Sequence, residues 1–366
     1  MTERTDSSIS SALDNAETVG AGSGAVRERK ADSGGLVYLA KRLATYVVIG
    51  IISLIASFVL PRLIPGDPAE QMIQAIVAKT GQLPSPYAIQ QIYTRFGDPH
   101  ENMAVGFLRY CWQTVHGDFG LSIQYYPVPV SDMLAKSLPW TLYLALVSTV
   151  LGWLIGTYLG SRLGWKPGGV VDTLLTPLSM FFSSIPAFWL GLLMVWWISY
   201  KHGWLPNQGA YNQAIGQPDL TNPVFLMSVG YFSILPLFTL IAVGFAHWMF
   251  TMRNMMITTV NEDYVQLARA KGLRQRRVRT MYAARNALLP NFTGLAQSIG
   301  GSLTAVILAE TVFLYPGVGS VLQAAQTHRD YPVMQAVMLL IILFTLVFNF
   351  IADSVYVLLD PRTAGS

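Results

Sequence analysis

The chain has 366 residues, 52% of them hydrophobic and 12% charged, with a formal net charge of +4. Soluble domains carry charge on about a quarter of their residues, so this composition excludes an ordinary soluble domain and points to a lipid environment. The small net charge gives no footing for nucleic-acid binding, and a single cysteine, Cys111, allows neither an internal disulfide nor a cysteine-based metal site.

Residues 1–35 are rich in Ser, Asp, Glu, Gly and Arg and lack the apolar stretch of a signal peptide, so they are expected to form a disordered tail that is not cleaved. Beyond them, runs free of Asp, Glu, Lys and Arg occupy residues 43–61, 137–161, 173–200, 221–252, 286–309 and 331–352. A helix needs about 20 apolar residues to cross the hydrocarbon core. The expected fold is therefore an all-α integral membrane protein with about six transmembrane helices, one per run, the first within 36–62. Pro186 and Pro236 lie inside such runs, where neighbouring helices can satisfy the backbone groups they free.

Positive charge sets the orientation, because loops that stay in the cytoplasm keep Lys and Arg. Arg27, Arg29, Lys30, Lys41 and Arg42 precede the first run, Arg162 and Lys166 follow the second, and a dense basic cluster follows the fourth. The segment 63–136 holds only Lys79, Arg95, Arg109 and Lys136 and is expected outside. Six crossings then leave both termini in the cytoplasm, with DPRTAGS, residues 360–366, as an inner tail. The outer segment contains the pieces AEQMIQAIVAK, PSPYAIQQIYTRFGDP and HGDFGLSIQYYPVPVSDML. It is too long and too aromatic for a plain turn and is expected to be ordered, serving either as an interfacial belt or as a face for ligand or partner.

The basic cluster ARAKGLRQRRVRTMYAARNALLP, residues 268–290, holds seven Lys and Arg and no carboxylate. Running into its start, NEDYVQLARAKG, residues 261–272, places acidic residues in a first turn and Gly272 as a stop, which predicts a short helix ending there. Tyr264, Ala268 and Gly272 recur at spacings of four, a narrow strip that another surface can approach closely. A second helical stretch then runs into the fifth span, making an elbow on the inner membrane face. The elbow admits two readings: a lipid anchor, each cation worth about 1 kcal/mol against anionic headgroups, or a docking element for a protein.

The order of residues resembles a known pattern. Residues 262–290 are similar to the cytoplasmic EAA loop of ABC-importer permeases, in the form carried by the dipeptide, oligopeptide and nickel permease family. The likeness extends through LPRLIPGDP, HGDFGLS, LPWTL, FFSSIPAFWLGLLMVW, EDYVQLARAKGL, RNALLP, LAETVFLYPGVG and a closing D-x-x-Y-x-x-L-D-P-R, in family order. Gln266, Leu267 and Ala268 stand where the general loop has Glu-Ala-Ala, and the gap from Gly272 to Pro290 is longer than the general spacing. Both departures resemble the peptide-type subfamily.

The resemblance implies the type I ABC importer permease fold, with a core permease domain at 137–359 that includes the coupling elbow at 253–290. It implies a docking set of Glu262, Asp263, Tyr264, Ala268, Arg269, Ala270, Lys271, Gly272 and Leu273 for a separate ATPase. The chain lacks a G-x-x-x-x-G-K-[ST] phosphate loop, so no cofactor is expected on it, and ATP and Mg belong on the partner. The implied partners are a second homologous permease, two ATP-binding subunits, an extracytoplasmic substrate-binding protein and the lipid bilayer, with no nucleic acid. The implied setting is a bacterial or archaeal cytoplasmic membrane, and the implied cargo is a peptide, an oligosaccharide or nickel.

Ionisable groups near the spans are few. Glu310 is weighed both as a pathway group and as a partner of the LYPGVG turn that follows it; Asp172 and Asp353 read as helix-end partners, and His247 as a packing histidine. Neither HExxH nor G-x-S-x-G occurs, so an enzyme is not expected. The alternative to an ATP-driven permease is a stand-alone secondary transporter or channel, for which paired ionisable residues and internal repeats would be the usual signs.

Overall fold

The computed structural model describes residues 38–59, 68–96 and 102–359. The tail at 1–35, the block LPRLIPGDP and the closing DPRTAGS fall wholly or largely outside the described residues. What is described is helical, and its only β pairing among the described residues is an isolated bridge between Leu121 and Pro129.

Helix α1, Tyr38–Val59, is a nearly bare apolar span. Three short helices follow, α2 Pro68–Thr80, α3 Pro86–Phe96 and α4 Met103–Val115. They form a small cap at one end of the molecule. Ala69, Met72, Ile76, Ile92 and Ile123 make its apolar centre. The HGDFG stretch turns beneath α3. Gly117 and Gly120 take φ of +75° and +79°, and Asp118 between them accepts from Gln91 Nε2 at 2.8 Å and from the Gly120 amide at 3.0 Å.

Helix α5, Val130–Trp165, is longer at both ends than the charge-free run at 137–161. A run ends at its first charge, whereas a helix continues while its backbone bonds are made, so Asp132, Lys136 and Arg162 are simply carried on its ends. Helix α8, Pro223–Val260, is opened by Asn222, whose side chain accepts from the Val224 amide at 2.9 Å.

These two long helices form the most extensive pair in the structure. Gly152, Gly156, Gly160 and Gly164 of α5 recur every four residues along the seam. A Cβ on Gly156 would lie 2.6 Å from Trp248 Cβ, on Gly160 2.8 Å from Met252 Cβ, and on Gly164 2.6 Å from Met256 Cβ. With lipid tails as apolar as leucine, close backbone approach across small residues is what drives spans together. The repeat is visible in LGWLIGTYLGSRLGW, although composition alone does not say that it forms a packing seam.

The run at 173–200, expected as one span, is broken. Helix α6, Val170–Ser184, meets α7, Ala187–Met194, at a bend of 97°, and α7 continues as a π-wound turn over Val195–Lys201. Proline pushes the residue before it out of the helical region. Ile185, ahead of Pro186, accordingly has φ −86° and ψ 126°.

Past α8 come α9, Asp263–Ala270, the three-residue α10, Gln275–Arg277, and a π-wound Val278–Ala283 that opens α11, Ala284–Val312. This stretch contains Pro290 and bends by 62° between its Gln275–Phe292 and Gln297–Val312 parts. Helices α12, Val318–His328, and α13, Tyr331–Leu359, complete the chain. Four described helices are long and apolar enough to cross a membrane, and the two bent pairs raise that to six.

Side-chain ties hold the helix ends. Asp172 at the start of α6 accepts both Nε and Nη2 of Arg253, at 2.8 and 2.7 Å, a bidentate pair joining α6 to α8. Asp353 of α13 accepts from Tyr46 Oη at 2.6 Å and lies 3.4 Å from Arg42 Nε, which fixes α1. Both carboxylates are the helix-end partners expected from sequence. At the cap end Asp330 accepts from the Gln124 amide at 2.9 Å and from Ser122 Oγ.

Candidate functional site

Helix α9 is eight residues long, too short to persist in water on its own propensity. It forms because Glu262 starts it and Gly272 stops it. The Glu262 carbonyl accepts from the Val265 and Gln266 amides at 3.0 and 3.1 Å, and Asp263 sits in the positive first turn. At the other end the Gly272 amide reaches the Arg269 carbonyl at 2.9 Å with φ at +71°, the left-handed exit for which glycine is suited.

Packing then sets which way the helix faces. Val265 and Ala268 are buried against Met252 and Met256 of α8 and against Val278, Ala283 and Ala287 of the stretch entering α11. The close approach that Ala268 permits is therefore to the chain's own core and not, as its spacing suggested, to an outside surface. The exposed side carries Glu262, Asp263, Tyr264, Gln266, Leu267, Ala270 and Lys271, with Leu267 56% exposed. Leu273 is half-buried beneath the exit turn.

Arg269 also turns inward. Its guanidinium lies 4.8 Å from the Trp165 ring, a cation–π contact that clamps α9 to the end of α5. Of the two cations in the implied docking set, Arg269 and Lys271, only Lys271 is left exposed, and Arg274, Arg276 and Arg277 extend that exposed edge. Arg162 of α5, Lys166 just past its end, and Arg276 and Arg279 from the basic stretch line a cleft of about 540 Å³ with Trp165 and Gln275. The elbow thus presents an apolar spot at Leu267 bordered by carboxylates on one side and cations on the other.

Glu310 lies far from this elbow, at the last turn of α11, with no exposed surface. Its Oε2 accepts from the Gly319 amide at 2.6 Å, its carbonyl accepts from the Tyr315 amide at 2.9 Å, and Ser233 Oγ and Tyr315 Oη are 3.0 Å apart. A Cβ on Gly319 would stand 2.8 Å from Glu310 Oε2, and one on Gly317 would fall onto the carboxyl group. The glycines of YPGVG leave room for the carboxylate, which holds the turn between α11 and α12. Of the two roles weighed for Glu310, the geometry is that of the turn partner; no surface is left for a passing solute.

The described residues thus form a helical bundle of four to six candidate spans, with a broken span, a cap of short helices at one end and a short ledge-like helix at the other. Comparison with known proteins gives its class. The model of the family described as binding-protein-dependent transport system inner membrane component matches residues 132–365. The chain is 31% identical over 327 residues to the oligopeptide transport system permease protein AppB of Bacillus subtilis, covering 89% of this chain and 98% of the relative. It is 30% identical over 345 residues to the dipeptide transport system permease protein DppB of Escherichia coli, with 89% and 98% covered. A probable peptide ABC transporter permease protein of Sinorhizobium fredii is 31% identical over 333 residues, again with 89% and 98% covered. The chain belongs to the binding-protein-dependent permeases, the membrane components of ABC importers. It is an all-α membrane protein of the type I importer permease fold, a transport component and not an enzyme.

Proposed function

We propose that this chain is one permease half of an ATP-driven peptide importer in the cytoplasmic membrane of a bacterium or archaeon. A second, homologous permease supplies the other half of the path, two ATP-binding subunits supply energy, and an extracytoplasmic binding protein delivers solute at the α2–α4 cap. The elbow end faces the cytoplasm with both termini. Peptide cargo is supported by the names of the relatives above, each of which is a peptide, oligopeptide or dipeptide permease.

The observation that carries the coupling is the two-faced α9. Val265 and Ala268 fasten it to α8 and α11, so force applied to it reaches the spans, while Leu267 and Tyr264 stand exposed. An exposed leucine between rim charges is the composition of a contact centre, with the charges tuning specificity more than affinity. Glu262, Asp263, Tyr264, Ala270 and Lys271 would touch the ATPase, with Arg269, Gly272 and Leu273 holding the ledge in shape.

Purification of the tagged chain in mild detergent tests this. Leu267→Glu should accumulate and insert as wild type and keep the sister permease, but lose the ATPase and ATP-dependent uptake. Gly272→Trp should weaken the same contact through backbone strain, since its side chain would enter open space. Retention of a fully coupled ATPase by Leu267→Glu, or absence of any ATPase from the wild-type preparation, would overturn the assignment and favour a lipid anchor.

A further inference from the structure

Between α5, α7, α8 and α11 lies a cavity of about 300 Å³ at the level of the apolar spans. Its lining is mostly apolar, with no carboxylate, Lys or Arg; the hydroxyls of Ser148, Ser298 and Ser302 donate to carbonyls of their own helices and that of Thr149 to Ser302, which leaves their oxygen lone pairs and the imidazole of His247 as its polar groups. Thr149 and Ser302 approach to 3.3 Å across α5 and α11. His247 is exposed, stacked edge-on against Trp248 at 5.2 Å, and its ring has no hydrogen-bond partner among the described residues. The sequence reading of His247 as a packing histidine does not hold.

Two further observations converge on this place. On α11 the exposed positions Gln297, Gly301, Thr304 and Leu308 follow one another at helical spacing, and on α8 Gly244 and His247 do the same. A Cβ on Gly244 or Gly301 would meet nothing within 4 Å, so the space above both is open. Polar side chains at span depth, here Gln297, Thr304 and His247, are costly against acyl chains and face the bundle interior or water. The broken span also opens here, because Ala187, the first residue past the Ile185–Pro186 break, lines the cavity. Backbone that leaves the helix at membrane depth persists where protein covers it or where it borders a water-filled cavity.

We propose that this face is the chain's wall of the solute path and that His247 is a solute-contacting residue. A mostly apolar wall that offers hydroxyl lone pairs, the His247 ring and the Gln297 amide, with no carboxylate, Lys or Arg in the cavity lining, suits an amide-bearing chain such as a peptide, whatever its side chains. The assignment rests on the permease reading above.

Single cysteines at Gln297, Thr304 and Gly244 in a Cys111→Ala background test it, with Ile52→Cys and Val347→Cys as exposed controls on α1 and α13. The purified complex in lipid vesicles is treated with a charged, membrane-impermeant methanethiosulfonate, with and without ATP and vanadate. The three path positions should react about tenfold or more faster than the controls, as water-facing groups do, and the nucleotide-trapped state should change their rates severalfold. Reaction at control rates in both states would overturn the proposal, as would fast reaction indifferent to nucleotide, which describes a static crevice. Failure of the permease reading is distinguishable, since then no ATPase would co-purify and vanadate would trap nothing. His247→Gln keeps a donor and acceptor and should retain uptake, whereas His247→Leu should lose it while nucleotide trapping remains. Equal uptake by the two variants would remove His247 from the path.

Discussion

At Glu310 a single carboxylate decides the shape of a turn. The Gly319 amide and the closely packed glycines leave it no freedom, so its removal strands a buried donor, a loss worth about 1–3 kcal/mol. Glu310→Ala and Gly319→Val should each lower the melting temperature in detergent, and uptake should fall in proportion to folded protein with KM unchanged. A raised KM at normal stability would instead place Glu310 in the solute path. This residue shows how far sequence reading reaches. The motif LAETVFLYPGVG put the carboxylate beside a glycine turn, so the contact was foreseeable, but burial was not. Ala268 and Arg269 were misdirected for a related reason: spacing shows which residues share a face, and only the neighbours show whether that face looks in or out.

Among the elements, the spans were legible because bilayer thickness forces apolar runs of about 20 residues. The break in the third was not, because a charge-free run counts residues and says nothing of direction. Pro186 was read as tolerated, yet here it reorients the chain by 97°. The glycine seam makes a prediction of its own. A Cβ on Gly152 would meet its nearest neighbour, the Phe245 amide nitrogen, at an ordinary 3.9 Å, whereas at Gly160 it would collide with α8. Gly152→Ala should therefore be silent, while Gly160→Ala should cost about 1–3 kcal/mol by overpacking. Thermal unfolding of the two variants side by side checks the difference. Equal stability would mean that the seam is looser than the helices indicate.

For the whole molecule, the cap and the elbow lie at opposite ends of the bundle, and the proposed orientation places them on opposite sides of the membrane. Leu83→Cys, on the exposed cap at 76% exposure, should be labelled by an impermeant reagent in intact cells, and Lys271→Cys only in inside-out vesicles. The reverse pattern would invert the topology and exclude the elbow as an ATPase contact. This prediction needs the whole chain, because positive charge on loops is a statistical guide to sidedness and no single helix fixes it.

The long helices carry a consequence for reach. With 38 residues, α8 has a contour of roughly 57 Å, against about 45 Å for a bilayer with its headgroups, and an ordinary tilt of about 20° shortens the projection by only ~3 Å. If the overhang lies on the elbow side, α9 stands off the membrane by several ångströms and does not rest among phosphates. A stood-off ledge can be gripped from beneath without displacing lipid. Its grip should then depend little on the headgroup composition of the surrounding membrane.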